Sequence, residues 1–296
     1  MKKFSFLFPI LSAVLLFTPF IAEGSSISNW NRDRLIQQLE IVKREISVLK
    51  QLIENMNSRD DITASSYLAM DLEEGSVIIE KNPQHSYPVA SVTKMMTGVI
   101  VAENMEKNEK IVLSEKMLDT HGHSPALFKG LEVTAENLLK ASLIQSTNDA
   151  ANALSYFKGK DRFVDLMNKK ARDLGMHHTH FVDSHGLNPN NRSTAGDLAK
   201  LISYVHKEHP ELLEISRDND FWLPNEEGRL LKFMNTNRFY HLSNYMGGKN
   251  GYLPQAKQTS TAIFNINEKP VGIVILHSEN READMFSIID KIKEGI

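Results

Sequence analysis

A serine and a lysine three residues apart are the first side chains in this sequence that could do chemistry together. Ser91 and Lys94 lie in the segment 88–98, which is helical in pattern and apolar almost all round, so we expect a buried helix. Residues three apart share a helix face, and burial lowers the pKa of a lysine towards that of a useful base. The pair could therefore be a nucleophile and its base. The same spacing also arises by chance, and a serine at a helix start is often only an N-cap.

Two short motifs further along the chain could bind a ligand. Ser146 and Asn148 fall between two predicted helices, where a hydroxyl and a carboxamide could face one ligand, although ordinary helix capping is the alternative. Lys249, Asn250 and Gly251 follow two glycines at a predicted strand start. Glycine lets a backbone approach a ligand closely and the lysine adds a positive charge, while the alternative is a surface turn before an edge strand. Neither motif assigns a function by itself.

A group of four histidines within nine residues raises the question of a metal site. The four are His177, His178, His180 and His185. His-x-His spacing alone is a weak signature for zinc, because zinc sites need three or four protein ligands in a defined geometry. We therefore expect no metal at this cluster.

The elements around these motifs predict one domain with an antiparallel sheet. Strand-like segments stand at both ends of the region from residue 60 onwards, and a helix-rich stretch from 91 to 215 separates them. The strand-like segments are 65–70, 76–80, 249–252, 259–265 and 271–277. A final amphipathic helix is expected over 281–293. The expected fold class is α/β, more closely α+β, with one sheet formed from both sequence ends and a helical subdomain.

The N-terminus predicts export. Lys2 and Lys3 precede an apolar run over 4–22, and a basic head before an apolar stretch is typical of a secretory signal. The run is also nearly long enough to remain in the membrane as an anchor. Residues 1–24 are therefore expected to be a signal peptide or a membrane anchor, with the rest of the chain outside the cytoplasm.

A heptad pattern follows this N-terminal segment. Apolar residues alternate at spacings of four and three: Leu35, Leu39, Val42, Ile46, Leu49, Ile53 and Met56. The pattern favours a parallel two-stranded coiled coil, and so a homodimer through residues 35–56. The alternative is a lone amphipathic helix packed on its own domain, because further apolar residues widen the face. We expect a helical stalk and linker over 25–59 and the motif-bearing domain over 60–296.

The overall composition excludes one class of partner. The 296 residues carry a formal net charge of −3, so no basic field favours nucleic acid. With 41% hydrophobic and 24% charged residues, the chain is too apolar to be disordered. The absence of cysteine from the sequence neither supports nor excludes an oxidising compartment.

The order of the three motifs resembles a known signature. Ser-x-x-Lys, Ser-x-Asn and Lys-x-Gly begin at Ser91, Ser146 and Lys249, with about 50 and 100 residues between them. Penicillin-binding proteins and class A β-lactamases carry Ser-x-x-Lys, Ser-Asp-Asn and Lys-Thr-Gly. From about residue 65 onwards the chain resembles serine D-alanyl-D-alanine carboxypeptidases, the low-molecular-mass penicillin-binding proteins that share the fold of class A β-lactamases. Further similar stretches are 145–151, 179–187 and 193–198.

The resemblance implies an acyl-enzyme mechanism on peptidoglycan stem peptides. Ser91 would attack the D-Ala-D-Ala carbonyl, Lys94 would take its proton, and Ser146 would relay a proton to the leaving D-alanine. The backbone N–H groups of Ser91 and Tyr252 would form the oxyanion hole. The implied substrate-binding residues are Asn148, Lys249, Asn250, Gly251, Tyr252 and Arg281.

The resemblance also implies the ligands and the location of the protein. β-Lactams would be inhibitors, and neither a metal nor an organic cofactor is expected. The chain would act at the outer face of the bacterial cytoplasmic membrane, in the periplasm or in the cell wall space. The N-terminal segment would attach it to the membrane if it is not cleaved.

The chain departs from the family pattern at Asn250, where threonine is usual. The threonine hydroxyl would bind the terminal carboxylate, whereas an asparagine amide is longer and lacks the β-branch that fixes threonine. A DD-endopeptidase or transpeptidase of the same family would use the same residues, so both stay open beside the carboxypeptidase. A catalytically impaired muropeptide-binding scaffold also stays open, with Asn250 as its support. A β-lactamase is disfavoured, because residues 162–183 offer no convincing glutamate for deacylation.

Overall fold

The computed structural model describes residues 39–44, 46–47, 62–122, 124 and 126–295. The chain divides into two units, Met1–Arg59 and Asp60–Ile296. In the first unit the described residues are helical, and Leu39, Val42 and Ile46 are about half exposed. The rest of the heptad pattern, the linker before residue 62 and the export segment 1–24 lie outside the described residues, so those expectations stay predictions. Among the described helices, none combines the length and apolar character that crossing a bilayer requires.

Strands and helices of the second unit are numbered along the chain. The strands are β1 (Ser66–Asp71), β2 (Val77–Lys81), β3 (Tyr87–Pro88), β4 (Lys110–Val112), β5 (Glu132–Thr134), β6 (Arg192–Ser193), β7 (Asp220–Pro224), β8 (Leu230–Met234), β9 (Tyr245–Leu253), β10 (Lys257–Ile266) and β11 (Lys269–Ser278). The helices are α1 (Thr93–Asn104), α2 (Ala135–Ile144), α3 (Asn148–Ser155), α4 (Lys160–Asp173), α5 (Ala195–Glu208), α6 (Pro210–Arg217) and α7 (Arg281–Glu294).

The frame of this unit is a five-stranded antiparallel sheet with the order β2-β1-β11-β10-β9. The first hairpin joins the last three strands because β1 pairs with β11, with Ser66 opposite Leu276. The predicted α+β fold, with one sheet built from both sequence ends, is confirmed. The strand order places β9, which carries Lys249, at the edge of the sheet.

Both faces of the sheet are covered, because its strands alternate between two hydrophobic cores. On β11, Val274 and Leu276 belong to one core, and Ile273 and Ile275 belong to the other. The first core includes the buried residues of α1 and α5, and the second includes those of α7. Alternation of this kind fixes the register of each strand, because a slip of one residue would exchange the two faces.

The helical part places the other motifs beside this edge strand. Helix α1 is buried from Thr93 to Val101, as its apolar pattern predicts. Thr134 caps α2 by accepting a hydrogen bond from the backbone of Asn137 at 3.2 Å. Helix α2 ends at Ile144 and α3 begins at Asn148, so Ser146 lies in the short loop between them, as predicted.

The hairpin of β7 and β8 is not among the predicted strands. Phe221, Trp222 and Leu223 are consecutive, so the alternation that marks a strand is hidden. Leu223 is buried while Trp222 is 47% exposed, so an apolar residue stands on each face. Strand β9 also starts four residues before the predicted 249, because its early glycines weaken the sequence signal.

Candidate active site

Ser91 lies at the junction between β3 and α1. Residues Ala90–Val92 form a 3₁₀ turn that leads into the helix. The N-cap of α1 is Val92, so Ser91 does not cap the helix, and its Oγ lies 2.9 Å from Nζ of Lys94. Ala90 has a φ of +48°, a left-handed conformation that residues other than glycine rarely adopt. Backbone strain of this kind is concentrated at functional sites.

Lys94 is fully buried, and its amine has three partners. Nζ lies 2.9 Å from Oγ of Ser91, 2.8 Å from Oδ1 of Asn148 and 2.6 Å from the carbonyl oxygen of His185. The orientation of the Asn148 amide is fixed because its Nδ2 donates to the carbonyl of His121 at 2.7 Å. Two partners of the amine can therefore only accept. A neutral amine has two N–H bonds and one lone pair, so its lone pair is left to face the Ser91 hydroxyl.

The surroundings of Lys94 bring its pKa into the neutral range. Burial lowers the pKa of Lys94 to about 7, although the carboxylate of Asp183 raises it. Burial also lowers the pKa of His185 to about 4, so this ring is neutral at neutral pH. Lys94 can therefore take a proton from Ser91 near pH 7, which an ordinary lysine cannot do.

Ser146 and Lys249 form a second pair of hydroxyl and amine. Nζ of Lys249 lies 2.9 Å from Oγ of Ser146 and 3.0 Å from the carbonyl oxygen of Asn250. Burial, and then the charges of Lys94 and Arg281, hold the pKa of Lys249 well below its ordinary value. Ser146 has a φ of +63°, so its loop is also left-handed at this residue. The predicted relay hydroxyl is thus held against a buried amine.

Gly251 brings the edge strand against Ser91. A Cβ at this position would lie 2.8 Å from the backbone nitrogen of Ser91, 2.9 Å from Cβ of Ala90 and 2.6 Å from Oγ1 of Thr259. Real Cβ atoms do not approach other atoms so closely, so the position requires glycine. The side chain of Tyr252, the next residue, is 64% exposed. Strand β9 therefore offers its backbone to Ser91 at this point.

Asn250 presents a donor without a partner. Its Oδ1 accepts a hydrogen bond from Oγ of Ser260 at 2.8 Å, which fixes the amide. Its Nδ2 is buried and has no hydrogen-bond partner in the described part of the chain. Nearby, Nη1 of Arg281 donates to the carbonyl of Gly251 at 3.0 Å, and Nε donates to Glu282 at 3.2 Å. A buried amide donor close to a guanidinium suits a carboxylate ligand.

The structure thus brings the predicted residues to one place. Ser91, Lys94 and Asn148 form one hydrogen-bonded group, and Ser146 and Lys249 form another. The ring of Tyr252 is the one predicted side chain that points largely into solvent.

Three groups at the site were not predicted: the carbonyl oxygens of His121 and His185, and the carboxylate of Asp183. A backbone acceptor has no signature in the sequence. The signal that could have been followed is Gly186, whose φ is +89° and where a Cβ would lie 2.0 Å from the carbonyl oxygen of Ala90. The turn before Gly186 therefore packs directly on the turn that carries Ser91.

The four histidines at 177–185 are not arranged as metal ligands in the structure. Across the described residues, no group of three or more histidine, aspartate or glutamate side chains is arranged to hold a metal ion.

A serine next to the strained Ala90, a buried lysine amine 2.9 Å from its hydroxyl, and an edge strand that presents its backbone together fit a serine hydrolase. Comparison with known proteins narrows this class. The family model described as D-alanyl-D-alanine carboxypeptidase matches residues 53–280. The chain belongs to the D-alanyl-D-alanine carboxypeptidase family of serine peptidases.

Individual relatives agree with this family. The chain is 30% identical over 243 residues to the D-alanyl-D-alanine endopeptidase of Escherichia coli. This alignment covers 78% of this chain and 76% of the relative. It is 31% identical to the D-alanyl-D-alanine carboxypeptidase DacF of Bacillus subtilis, over 77% of this chain and 61% of the relative. Penicillin-binding protein D2 of Listeria monocytogenes, solved in its cefotaxime-bound form, superposes with a TM-score of 0.69 at 26% identity, over 80% of this chain and 98% of that one.

Replacing Gly251 with alanine is expected to slow acylation of Ser91 by a fluorescent penicillin by roughly 100-fold or more. The added methyl group pushes β9 away from the Ser91 nitrogen, and loss of one oxyanion donor typically costs about 10²–10³ in rate. The control is Gly75→Ala in the β1–β2 turn, where a Cβ meets nothing within 4 Å. An unchanged rate in folded Gly251→Ala would show that the close approach of β9 has no part in acylation.

Proposed function

We propose that the chain is a D-alanyl-D-alanine carboxypeptidase that removes the terminal D-alanine from peptidoglycan stem pentapeptides through an acyl-enzyme on Ser91. One observation carries the proposal. Nζ of Lys94 lies 2.9 Å from the Ser91 hydroxyl, while its two N–H bonds are directed to Asn148 and His185. Binding alone does not need a nucleophile and a matched base, so this geometry favours an enzyme over a binding scaffold.

In the acylation step, Oγ of Ser91 attacks the carbonyl carbon of the penultimate D-alanine while its proton moves to Nζ of Lys94. The backbone N–H groups of Ser91 and Tyr252 would stabilise the resulting oxyanion. The C–N bond then breaks, the leaving D-alanine amine takes a proton from Oγ of Ser146, and the proton held by Lys94 replaces it on that oxygen, so that Lys94 is neutral again. Lys249, hydrogen-bonded to that hydroxyl, holds it in place for the transfer. In the second half-reaction water attacks the ester carbonyl and gives a proton to Lys94, the bond to Oγ of Ser91 breaks, and Lys94 returns the proton to that oxygen.

The substrate carboxylate would bind at the end of the site formed by Asn250 and Arg281. Nδ2 of Asn250 would donate one hydrogen bond, and the guanidinium of Arg281 would attract the negative charge beside Lys249. Asn148 would hold the amide of the stem peptide next to the scissile bond. β-Lactams would acylate Ser91 in the same way, as the cefotaxime-bound relative suggests.

The location follows from the substrate. Peptidoglycan lies outside the cytoplasmic membrane, so the catalytic domain, residues 60–296, would act there. Residues 1–24 would direct export and, if they are not cleaved, attach the chain to the membrane.

A second candidate is a DD-endopeptidase that cleaves cross-links between stem peptides. Two relatives favour it, because both are named D-alanyl-D-alanine endopeptidase. One is the Escherichia coli relative, and the other, from Haemophilus influenzae, is 39% identical over 145 residues. The same Ser91 and Lys94 would serve either reaction, and the two differ only in the group that leaves.

Incubation of the purified chain with a pentapeptide ending in D-Ala-D-Ala is expected to release free D-alanine. The rate should rise with pH through about 7, because Lys94 must lose its proton to become a base and its pKa is about 7. Ser91→Ala is the control and should release none. Cleavage of cross-linked muropeptides without release of D-alanine would decide for the endopeptidase, and no cleavage of either substrate by the folded chain would favour a scaffold.

The substitution Asn250→Ala is expected to lower kcat/KM for the pentapeptide by roughly 10-fold or more, since a hydrogen bond to a charged group contributes about 1.5–3 kcal/mol. Asn250→Thr should raise the rate of penicillin acylation several-fold, because a β-branched hydroxyl is shorter and more rigid. Asn265→Thr, the same change at an exposed residue of β10, is the matched control. Identical kinetics in all variants would show that Asn250 does not contact the carboxylate.

We also propose that residues 35–56 form a parallel coiled coil that joins two copies of the chain. The support is the heptad spacing and the exposure of Leu39, Val42 and Ile46, of 53%, 43% and 47%. Large apolar residues on one stripe of a helix are stabilised when a second helix covers them.

Sedimentation equilibrium in mild detergent should give twice the mass of the chain, and Ile46→Glu should reduce this to a single copy. The charge would stand in the seam of the coiled coil, where it has no partner. Arg44→Glu, on the outer side of the same helix, should leave the dimer intact. A single copy in the unaltered chain would refute the coiled coil and leave the catalytic proposal standing.

A further inference from the structure

Asp183 is a charged side chain at the active site that the mechanism above does not use. Its Oδ1 accepts hydrogen bonds from the backbone N–H groups of His185 at 3.0 Å and Gly186 at 2.6 Å. Oδ1 also accepts from Nδ2 of Asn191 at 2.7 Å, and Oδ2 accepts from the backbone of Asn188 at 2.9 Å. All four partners donate to this carboxyl group, and the arrangement suits a carboxylate, which can only accept.

The turn over residues 183–186, which Asp183 stabilises, is hydrogen-bonded to helix α1, the helix that carries Lys94. The carbonyl of His185 accepts from Lys94 at 2.6 Å. The carbonyl of Ser184 accepts from Oγ1 of Thr97, which lies on the same helix as Lys94, at 2.6 Å. Any movement of this turn would therefore change an acceptor of the catalytic amine.

Asp183 is also the negative charge in the surroundings of the Lys94 amine. The other groups that face the amine are the Ser91 hydroxyl, the Asn148 amide, the His185 ring and carbonyl, and the second lysine, Lys249. The hydroxyl and the amide carry no charge, and the ring is neutral because its pKa is about 4. Burial disfavours the charged form of Lys94, and of these groups Asp183 alone favours it.

We propose that Asp183 is a positioning residue that both holds the His185 carbonyl on Lys94 and sets, by its charge, the pH above which Lys94 acts as a base. The inference rests on the proposed function, since it assigns Lys94 as the base. Without the carboxylate, burial would lower the pKa of Lys94 further. Lys94 would then be neutral at lower pH, but it would also be a weaker acceptor for the Ser91 proton.

The experiment measures acylation of the full chain by a fluorescent penicillin from acidic to alkaline pH. In Asp183→Asn and in Asp183→Ser, the midpoint of the rise in rate should move to lower pH by about half a unit or more, since a nearby opposite charge typically shifts a pKa by about 1–3 units. The maximal rate should fall. Both replacements keep an oxygen that can accept from the His185 and Gly186 N–H groups, so the turn can form in at least one of them.

Asn188→Ala is the matched control. It removes a hydrogen bond within the same turn, from the backbone of Asn190 to Oδ1 of Asn188 at 2.9 Å, and keeps the charge of Asp183. Its midpoint should equal that of the unaltered chain. Equal midpoints in the chain and in both Asp183 variants, or an equal shift in Asn188→Ala, would overturn the proposal.

A second measurement separates this proposal from the proposed function. NMR titration of ¹³C-labelled lysine side chains reads the protonation of Lys94 without any reaction. Absence of acylation in the unaltered chain would count against the peptidase. A Lys94 titration that is the same with and without Asp183 would overturn the role of Asp183 even if acylation is normal.

Discussion

The burial of two lysine amines in one site is the constraint on which the rest of the structure depends. Lys94 is fully buried and Lys249 is 2% exposed. A buried ammonium ion is costly, so each amine needs hydrogen-bond acceptors that do not fix it as a cation. Backbone carbonyls, hydroxyls and one amide meet this need, and they come from the 3₁₀ turn at Ser91, the loop at Ser146, helix α3, the turn before Gly186 and strand β9. The position of each of these elements is therefore set by an amine.

Much of this arrangement could be predicted, because the residues concerned are close in sequence or lie in segments with a regular hydrophobic pattern. Ser91 and Lys94 are three apart on one apolar helix, and the strands at both ends of the domain show alternation that indicates one sheet. The acceptors of Lys94 could not be predicted in the same way. The carbonyl of His185 reaches the amine only because a turn 91 residues further along the chain packs there, and a carbonyl is common to every residue.

The pairing of Asn250 with Ser260 is another contact that could not be predicted from the sequence. The replacement of threonine by asparagine is visible in the sequence, but its consequence depends on the register of β9 against β10, which places Ser260 opposite it. The serine hydroxyl donates to Oδ1, and Nδ2 is left without a hydrogen-bond partner among the residues that the structure describes. An asparagine that seemed too flexible for its role is thus held in one orientation by a neighbouring strand. The hairpin β7–β8 was missed for a different reason, since its apolar residues occupy both faces.

The joining of the two sequence ends in one sheet also determines when the site can form. Ser66 pairs with Leu276, more than two hundred positions later, and contacts between such distant segments are slow to form. Strand β9 reaches the nucleophile only as part of a sheet in which β10 and β11 connect it to β1. Ser91, Lys94, Ser146 and Lys249 all precede β10, yet they cannot be held together until β11 has been made. We therefore expect the complete site to form only in the last stage of folding, after most of the chain has been made.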